Sequence, residues 1–245
     1  MKLIVDEFKI VLAKSTFNFS IETTNLNITS DRIKSSMINR YNTGITVLDI
    51  ENKAITEMGE MEFVFNFLDP DQFLMPHLNL IDENEVTLKV LENKIQLFVG
   101  RQRQTVHFCT PQNKRMFHSE ATLKSSEYFA NLSLADGMFF EMWDKIKKIG
   151  TRYGKVYFNM KNGTFIIEST DKTNKFSNSM LFTLSKIDID DLSLCFDFND
   201  VANLMKIINM DFLLNFSYDS DHGLGLLHAN KEDDSEHFFL MSKKE

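Results

Sequence analysis

Apolar and polar residues alternate along much of this chain, the period of two expected of strands half-buried on a sheet. Lys155-Val156-Tyr157-Phe158-Asn159 and Phe165-Ile166-Ile167 read this way, as do Val86, Leu88 and Val90 and, later, Phe212, Leu214 and Phe216. Helical spacing is confined to a few segments. The clearest runs from Asp136 to Ile149, with Met138, Phe139, Met142, Trp143, Ile146 and Ile149 on one side. Glu141, Asp144, Lys147 and Lys148 lie on the other side with Lys145 near the border, and Gly150 is placed to stop the helix. Another helix, from about Asn199 to Ile208, is expected to bury Val201, Leu204, Met205 and Ile208 and to leave Asn199, Asn203 and Lys206 outward. A third, near the start, carries Phe8, Val11 and Leu12.

The order of elements repeats. FVFNFLDPDQFL, residues 63–74, lies on LCFDFNDVANLM, residues 194–205, at a constant offset that pairs Phe65 with Phe196, Phe67 with Phe198 and Asp69 with Asp200. Each reads as a strand running into a helix capped by an Asp, whose carboxylate accepts from the free amides of the first turn. Pro70 suits a first helical turn, whereas Pro76 is expected to kink or end its helix early. Upstream, a helix precedes strands ending in Ile28-Thr29-Ser30-Asp31, and a second helix precedes strands ending in Ser169-Thr170-Asp171. Two such matches at similar spacing indicate an internal duplication. The polar stretch TPQNKRMFHSEATLK separates the halves, so the expected division is 1–110, a connector at 111–124, and 125–245.

Composition narrows the functional classes. The chain has 43% hydrophobic residues and 23 Phe among 245 positions, enough to fill real cores. Its net charge of −8 means that any grip on nucleic acid must come from a local concentration of Lys and Arg. Asp6 and Glu7 interrupt the first apolar run, and no stretch approaches the roughly 18 apolar residues that span a bilayer, so a cytoplasmic protein without membrane contact is expected. Cys109 and Cys195 are too few for a disulfide framework or a structural zinc site. Enzyme signatures are weak: GTRYGKV, residues 150–156, has three residues between its glycines where a phosphate loop needs four. Asp188, Asp190 and Asp191 lack the glycine and terminal Glu of a calcium loop. No catalysis, metal or cofactor is expected.

Duplicated units of helix, strands, helix and strands, together with ITSDR, IESTDK and the terminal HFFLMS, give a chain that resembles the DNA sliding clamps of T-even-like tailed bacteriophages, relatives of proliferating cell nuclear antigen. The resemblance implies an α+β DNA clamp fold of two duplicated domains, each with two helices packed on antiparallel sheets. It implies a head-to-tail homotrimer that encircles duplex DNA without reading its sequence, in an infected bacterial host. Such a ring is opened by a clamp loader ATPase and tethers the replicative DNA polymerase, and some members also serve the transcription machinery. Two alternatives stand beside this: a monomeric polymerase accessory subunit that does not encircle DNA, and a virion interaction protein that kept the fold.

On this resemblance the DNA-facing candidates are the basic residues of the inferred helices: Lys9 and Lys14, then Lys145, Lys147, Lys148 and Arg152, then Lys206. A few mobile cations suffice for weak, sequence-independent contact with phosphates. The same residues also fit ordinary solvated helix faces, and lysines near a helix C-terminus are favoured by its dipole. A partner-peptide pocket is expected under the connector, where Met116 and Phe117 would pack with Phe239 and Met241. Phe239 and Met241 fit a strand facing the core equally well.

Overall fold

The computed structural model describes residues 1–39, 41–108, 127–161, 164–170, 180–186 and 191–242, with the backbone course alone at 149–153 and 180–186. The chain divides into two compact units, Met1–Glu120 and Ala121–Glu245. The expected connector at 111–124 lies outside the described residues.

In the first unit, β1 (Lys2–Ile4) leads into α1 (Val5–Ser15), then β2 (Leu26–Ile28), β3 (Arg32–Ile38), β4 (Gly44–Glu51), β5 (Ile55–Thr56) and β6 (Phe63–Phe65). Two short helices follow, α2 (Pro70–Phe73) and α3 (Met75–Asn79), then β7 (Glu85–Leu91), β8 (Lys94–Val99) and β9 (Gln102–His107). The strands form antiparallel sheets in the orders β5-β1-β7-β8-β9 and β4-β3-β2-β6. The second unit runs β10 (Ala130–Ser133), α4 (Met138–Tyr153), β11 (Lys155–Lys161), β12 (Thr164–Ser169), β13 (Met180–Lys186), β14 (Leu192–Asp197), α5 (Phe198–Ile207), β15 (Phe212–Asp219), β16 (Leu224–Lys231) and β17 (Glu236–Met241). Its strands pair as β10-β15-β16-β17 and β13-β12-β11-β14. Apart from β5, the two units follow one plan, strand for strand. A helix after the first strand and helical residues before the last three strands complete the match in each.

The repeated aromatic positions explain why the plan holds. Phe65 and Phe67 in one unit and Phe196 and Phe198 in the other are all buried. In the first unit Phe8 of α1 meets Phe65 edge to face at 6.4 Å. In the second, Trp143 of α4 stacks on Phe198 at 5.3 Å. Each helix therefore seats one large ring against the strand-to-helix junction. Buried aromatic rings of this kind carry much of a core's apolar area.

Local chemistry sets the helix ends. Asp69 caps α2 through a bond from the Gln72 amide, and Pro70 sits in its first turn. Pro76 has no amide hydrogen and its ring crowds the preceding turn, so the helical stretch breaks into α2 and α3, as its position foretold. Three details refine or differ from the sequence expectation. The cap of α5 is an Asp, Asp197, which accepts from the Asn199 amide at 2.9 Å, and Asp200 lies inside the first turn. The helix α4 continues through Gly150 to Tyr153 and ends at Gly154, whose φ of +67° supplies the left-handed residue that a helix terminus favours. Met138, placed on the buried side by periodicity, is half-exposed, because it occupies the first turn, at the helix's edge.

Candidate nucleic-acid interface

The outward side of α4 concentrates charge. Phe139, Met142, Trp143 and Ile146 are buried, and this leaves Glu141, Asp144, Lys145, Lys147 and Lys148 exposed. Lys147 is held by Asp144, Nζ to Oδ1 at 2.5 Å. Lys145 and Lys148 make no ion pair among the described residues, so their charge is open to a polyanion. Arg152 lies in the last turn of the same helix, with its side chain outside the description. On α5, Val201, Leu204 and Met205 turn inward and Lys206 is exposed, its ammonium 3.4 Å from the Asn203 carboxamide oxygen. The second unit thus brings three helix-borne candidates, Lys145, Lys148 and Lys206, into solvent on two helices that pack together through Trp143 and Phe198.

The first unit is different. Lys9 is partly buried, with its ammonium 3.9 Å from Asp6. Lys14 is partly buried at the end of α1, and its carbonyl accepts from the Thr46 hydroxyl. The helices α2 and α3 contribute no Lys or Arg, and their exposed residues include Asp71, Phe73 and Asn79. Helix-borne positive charge is therefore weaker in this unit than in the other.

The expected peptide pocket is divided. Met116 and Phe117 lie outside the described residues. Met241 is half-buried, but Phe239 is fully buried and stacks on His228 with ring centroids 4.2 Å apart. Phe239 is thus interior rather than a surface anchor: β17 is buried on both faces from Glu236 to Leu240, so alternation gave no guide to which ring stays exposed.

Beside Phe239 is a buried polar chain that sequence reading missed. The Tyr128 hydroxyl meets His228 Nδ1 at 2.5 Å, His228 Nε2 meets His237 Nδ1 at 2.9 Å, and His237 Nε2 meets the Asp234 carbonyl at 3.0 Å. Burial pushes the Tyr128 hydroxyl pKa up, and the Asp234 charge adds to this, so the phenol keeps its proton and can donate. The only sequence signal was the recurrence of His-Phe at 107–108 and 237–238.

Among the described residues no group of three or more His, Cys, Asp or Glu is placed to hold a metal ion. The 150–156 segment is the end of a helix and the start of a strand rather than a phosphate loop.

No protein-family model matches the chain, and no curated protein matches it. Solved structures do. The structure of A. fulgidus PCNA bound to the C-terminal region of FEN-1 matches with a TM-score of 0.68 at 15% identity, over 100% of this chain and 98% of that one. The PCNA2-PCNA3 complex from Sulfolobus tokodaii matches with a TM-score of 0.64 at 17% identity, over the full length of both chains. The DNA polymerase sliding clamp from Bacillus subtilis gives a TM-score of 0.73 at 9% identity, over 100% of this chain and 64% of that one. The chain has the sliding-clamp fold.

Proposed function

We propose that this chain is a DNA polymerase processivity factor: a sliding clamp that closes around duplex DNA as a homotrimer and tethers the replicative polymerase, without catalysis of its own. The observation that carries the reading is the clamp fold spanning the whole chain, built from two units of matching strand order. A head-to-tail ring needs two free sheet edges. β9 ends the five-stranded sheet of the first unit and β13 ends the β13-β12-β11-β14 sheet of the second. Pairing β9 of one copy with β13 of the next satisfies both edges, and a cyclic arrangement leaves neither exposed to uncontrolled association.

In this reading Lys145, Lys148 and Lys206 meet the duplex, with Lys147 and Arg152 beside them and Lys9 and Lys14 in a lesser role. Contact by a few lysines is weak and indifferent to sequence, which suits a ring that must slide. On the same resemblance, the polymerase tail is assigned to Met116 and Phe117. An ATP-driven loader opens the ring, in the cytoplasm of an infected bacterium.

The test is solution mass together with retention on DNA. A trimer that stays on nicked circular DNA and is lost when the circle is cut supports the proposal. A monomer at micromolar concentration that binds circles and linear duplexes equally would replace it with the non-encircling accessory subunit. A trimer that no loader places on DNA would favour the virion interaction protein.

A further inference from the structure

We propose that the outward face of the five-stranded sheet in the first unit is a second nucleic-acid surface, one that takes single-stranded segments. The face is defined by register. The core side of this sheet carries Leu3, Val86, Leu88, Ile95, Leu97 and Val106, all buried. The opposite side is built of three cross-strand rows. One runs Lys2, Thr87, Phe98, Arg103; the next runs Lys89, Gln96, Thr105; the third includes Lys94 and His107. Neighbouring strands are about 4.8 Å apart and alternate residues about 6.8 Å apart, so these side chains occupy one continuous patch.

The charge on this patch is unbalanced in a protein whose net charge is −8. Lys2 is paired with Glu85 at 2.8 Å. Lys89, Lys94, Arg103 and Arg101 in the adjoining turn make no ion pair among the described residues; all but the half-buried Lys94 are exposed. Three unneutralised cations on one sheet face, with a fourth in the adjoining turn, attract a polyanion.

Phe98 decides which polyanion. It is half-buried, stands in the row between Thr87 and Arg103, and is not among the partly buried apolar residues that pack on the core, although its neighbour Val99 is. A ring amid cations supplies both parts of single-strand recognition: charge follows the phosphates while the ring stacks on an unpaired base. A duplex hides its base faces and would leave Phe98 unused. An acidic peptide would find the backbone groups of β7 and β8 already paired within the sheet, and would gain charge contacts alone. The surface is built from other elements than the helices assigned to the duplex and does not depend on ring closure.

The experiment measures anisotropy of a labelled short oligothymidylate with the full chain across a salt series. The variant Lys89→Gln/Lys94→Gln leaves the edge strand β9 untouched; it is expected to bind at least tenfold more weakly at low salt and to flatten the slope of log affinity against log salt by about 1.4, at about 0.7 for each phosphate no longer neutralised. Phe98→Leu is expected to weaken the same binding severalfold with the slope unchanged. Lys145→Gln/Lys148→Gln is expected to leave it intact, so failure of the duplex assignment and failure of this one are told apart. Wild-type affinity in the Lys89/Lys94 variant overturns the proposal. So does full displacement of the oligonucleotide by a poly-glutamate peptide of equal charge together with unaltered binding by Phe98→Leu, a result that would assign the face to an acidic protein.

Discussion

His228 and His237 donate and accept across the adjacent strands β16 and β17, Nε2 to Nδ1 at 2.9 Å, with side chains almost wholly buried. The chain they belong to has a direction. A carbonyl only accepts, so His237 Nε2 carries the hydrogen shared with Asp234. With both rings neutral, His237 Nδ1 then accepts from His228 Nε2, and His228 Nδ1 accepts from Tyr128. Each hydrogen bond fixes the tautomer needed by the next, and Tyr128, close to the start of the second unit's described residues, is thereby pinned to the sheet.

Removing the middle of that chain is expected to cost more than removing its end. Tyr128→Phe removes the hydrogen bond to His228 Nδ1 and should lower stability by about 1–2 kcal/mol. His228→Leu removes the hydrogen bonds to both the Tyr128 hydroxyl and His237 Nδ1 and should cost about 2–4 kcal/mol. Urea denaturation of the two single variants and the double variant measures this. Equal losses for the two singles would show that the chain is not a connected unit.

Gly225 marks a close approach between the two sheets of the second unit. A Cβ there would collide with Leu194 Cδ2 and lie 3.0 Å from Cδ1, and Leu194 is 1% exposed, so the leucine has little room to move. Gly225→Ala should cost about 1–3 kcal/mol through overpacking. In a Leu194→Ala background the same change should cost much less, because the methyl group fills space that the shorter side chain vacates. Additive losses in thermal unfolding would refute this packing.

Two backbone positions with positive φ should respond in opposite directions. Gly154 (φ +67°) has open space around its missing Cβ, so Gly154→Ala meets conformational strain alone and should cost about 1 kcal/mol. Glu57 has φ of +57° and an exposed side chain. Glu57→Gly should stabilise the protein by about 0.5 kcal/mol, the relief of left-handed strain outweighing the greater freedom of glycine in the unfolded chain. Paired chemical-denaturation curves check both signs.

Acid should weaken the first unit through Asp49. Burial pushes its carboxyl up, but hydrogen bonds from Arg32, Nε to Oδ1 at 2.7 Å, and from Lys34 outweigh this and hold it below the usual carboxylate range. A folded pKa below the unfolded value, about 3.9, means that the stabilisation is fully present above that value and is lost as pH falls through the folded one. Asp219, held down by the hydrogen bond from His222, and Asp233, held down by the Ser235 hydroxyl, act with the same sign. The urea midpoint should therefore fall as pH drops below about 4, and Asp49→Asn should make the fall shallower. An unchanged profile in that variant would remove Asp49 from the account.

Alternation and helical spacing by themselves determined most strands, the buried side of α4 from Phe139 to Ile146, the break at Pro76 and the repeated order of elements, because these depend on neighbours two to four residues away. The repeated order, with the short matches ITSDR, IESTDK and HFFLMS, carried the resemblance to the clamp fold, and the exposure of Lys145, Lys148 and Lys206 was legible because the apolar residues of each helix already fix its outward side. Tertiary structure decided the rest. Alternation says which residues share a face but not whether both faces are covered, so Phe239 read as a possible surface anchor and is interior. The end of α4 at Gly154 instead of Gly150, and the choice of Asp197 as the cap of α5, turned on where a strand had to begin or end against its neighbours. The basic face around Phe98 and the Tyr128–His228–His237 chain join residues distant in sequence, and only strand order and register bring them side by side.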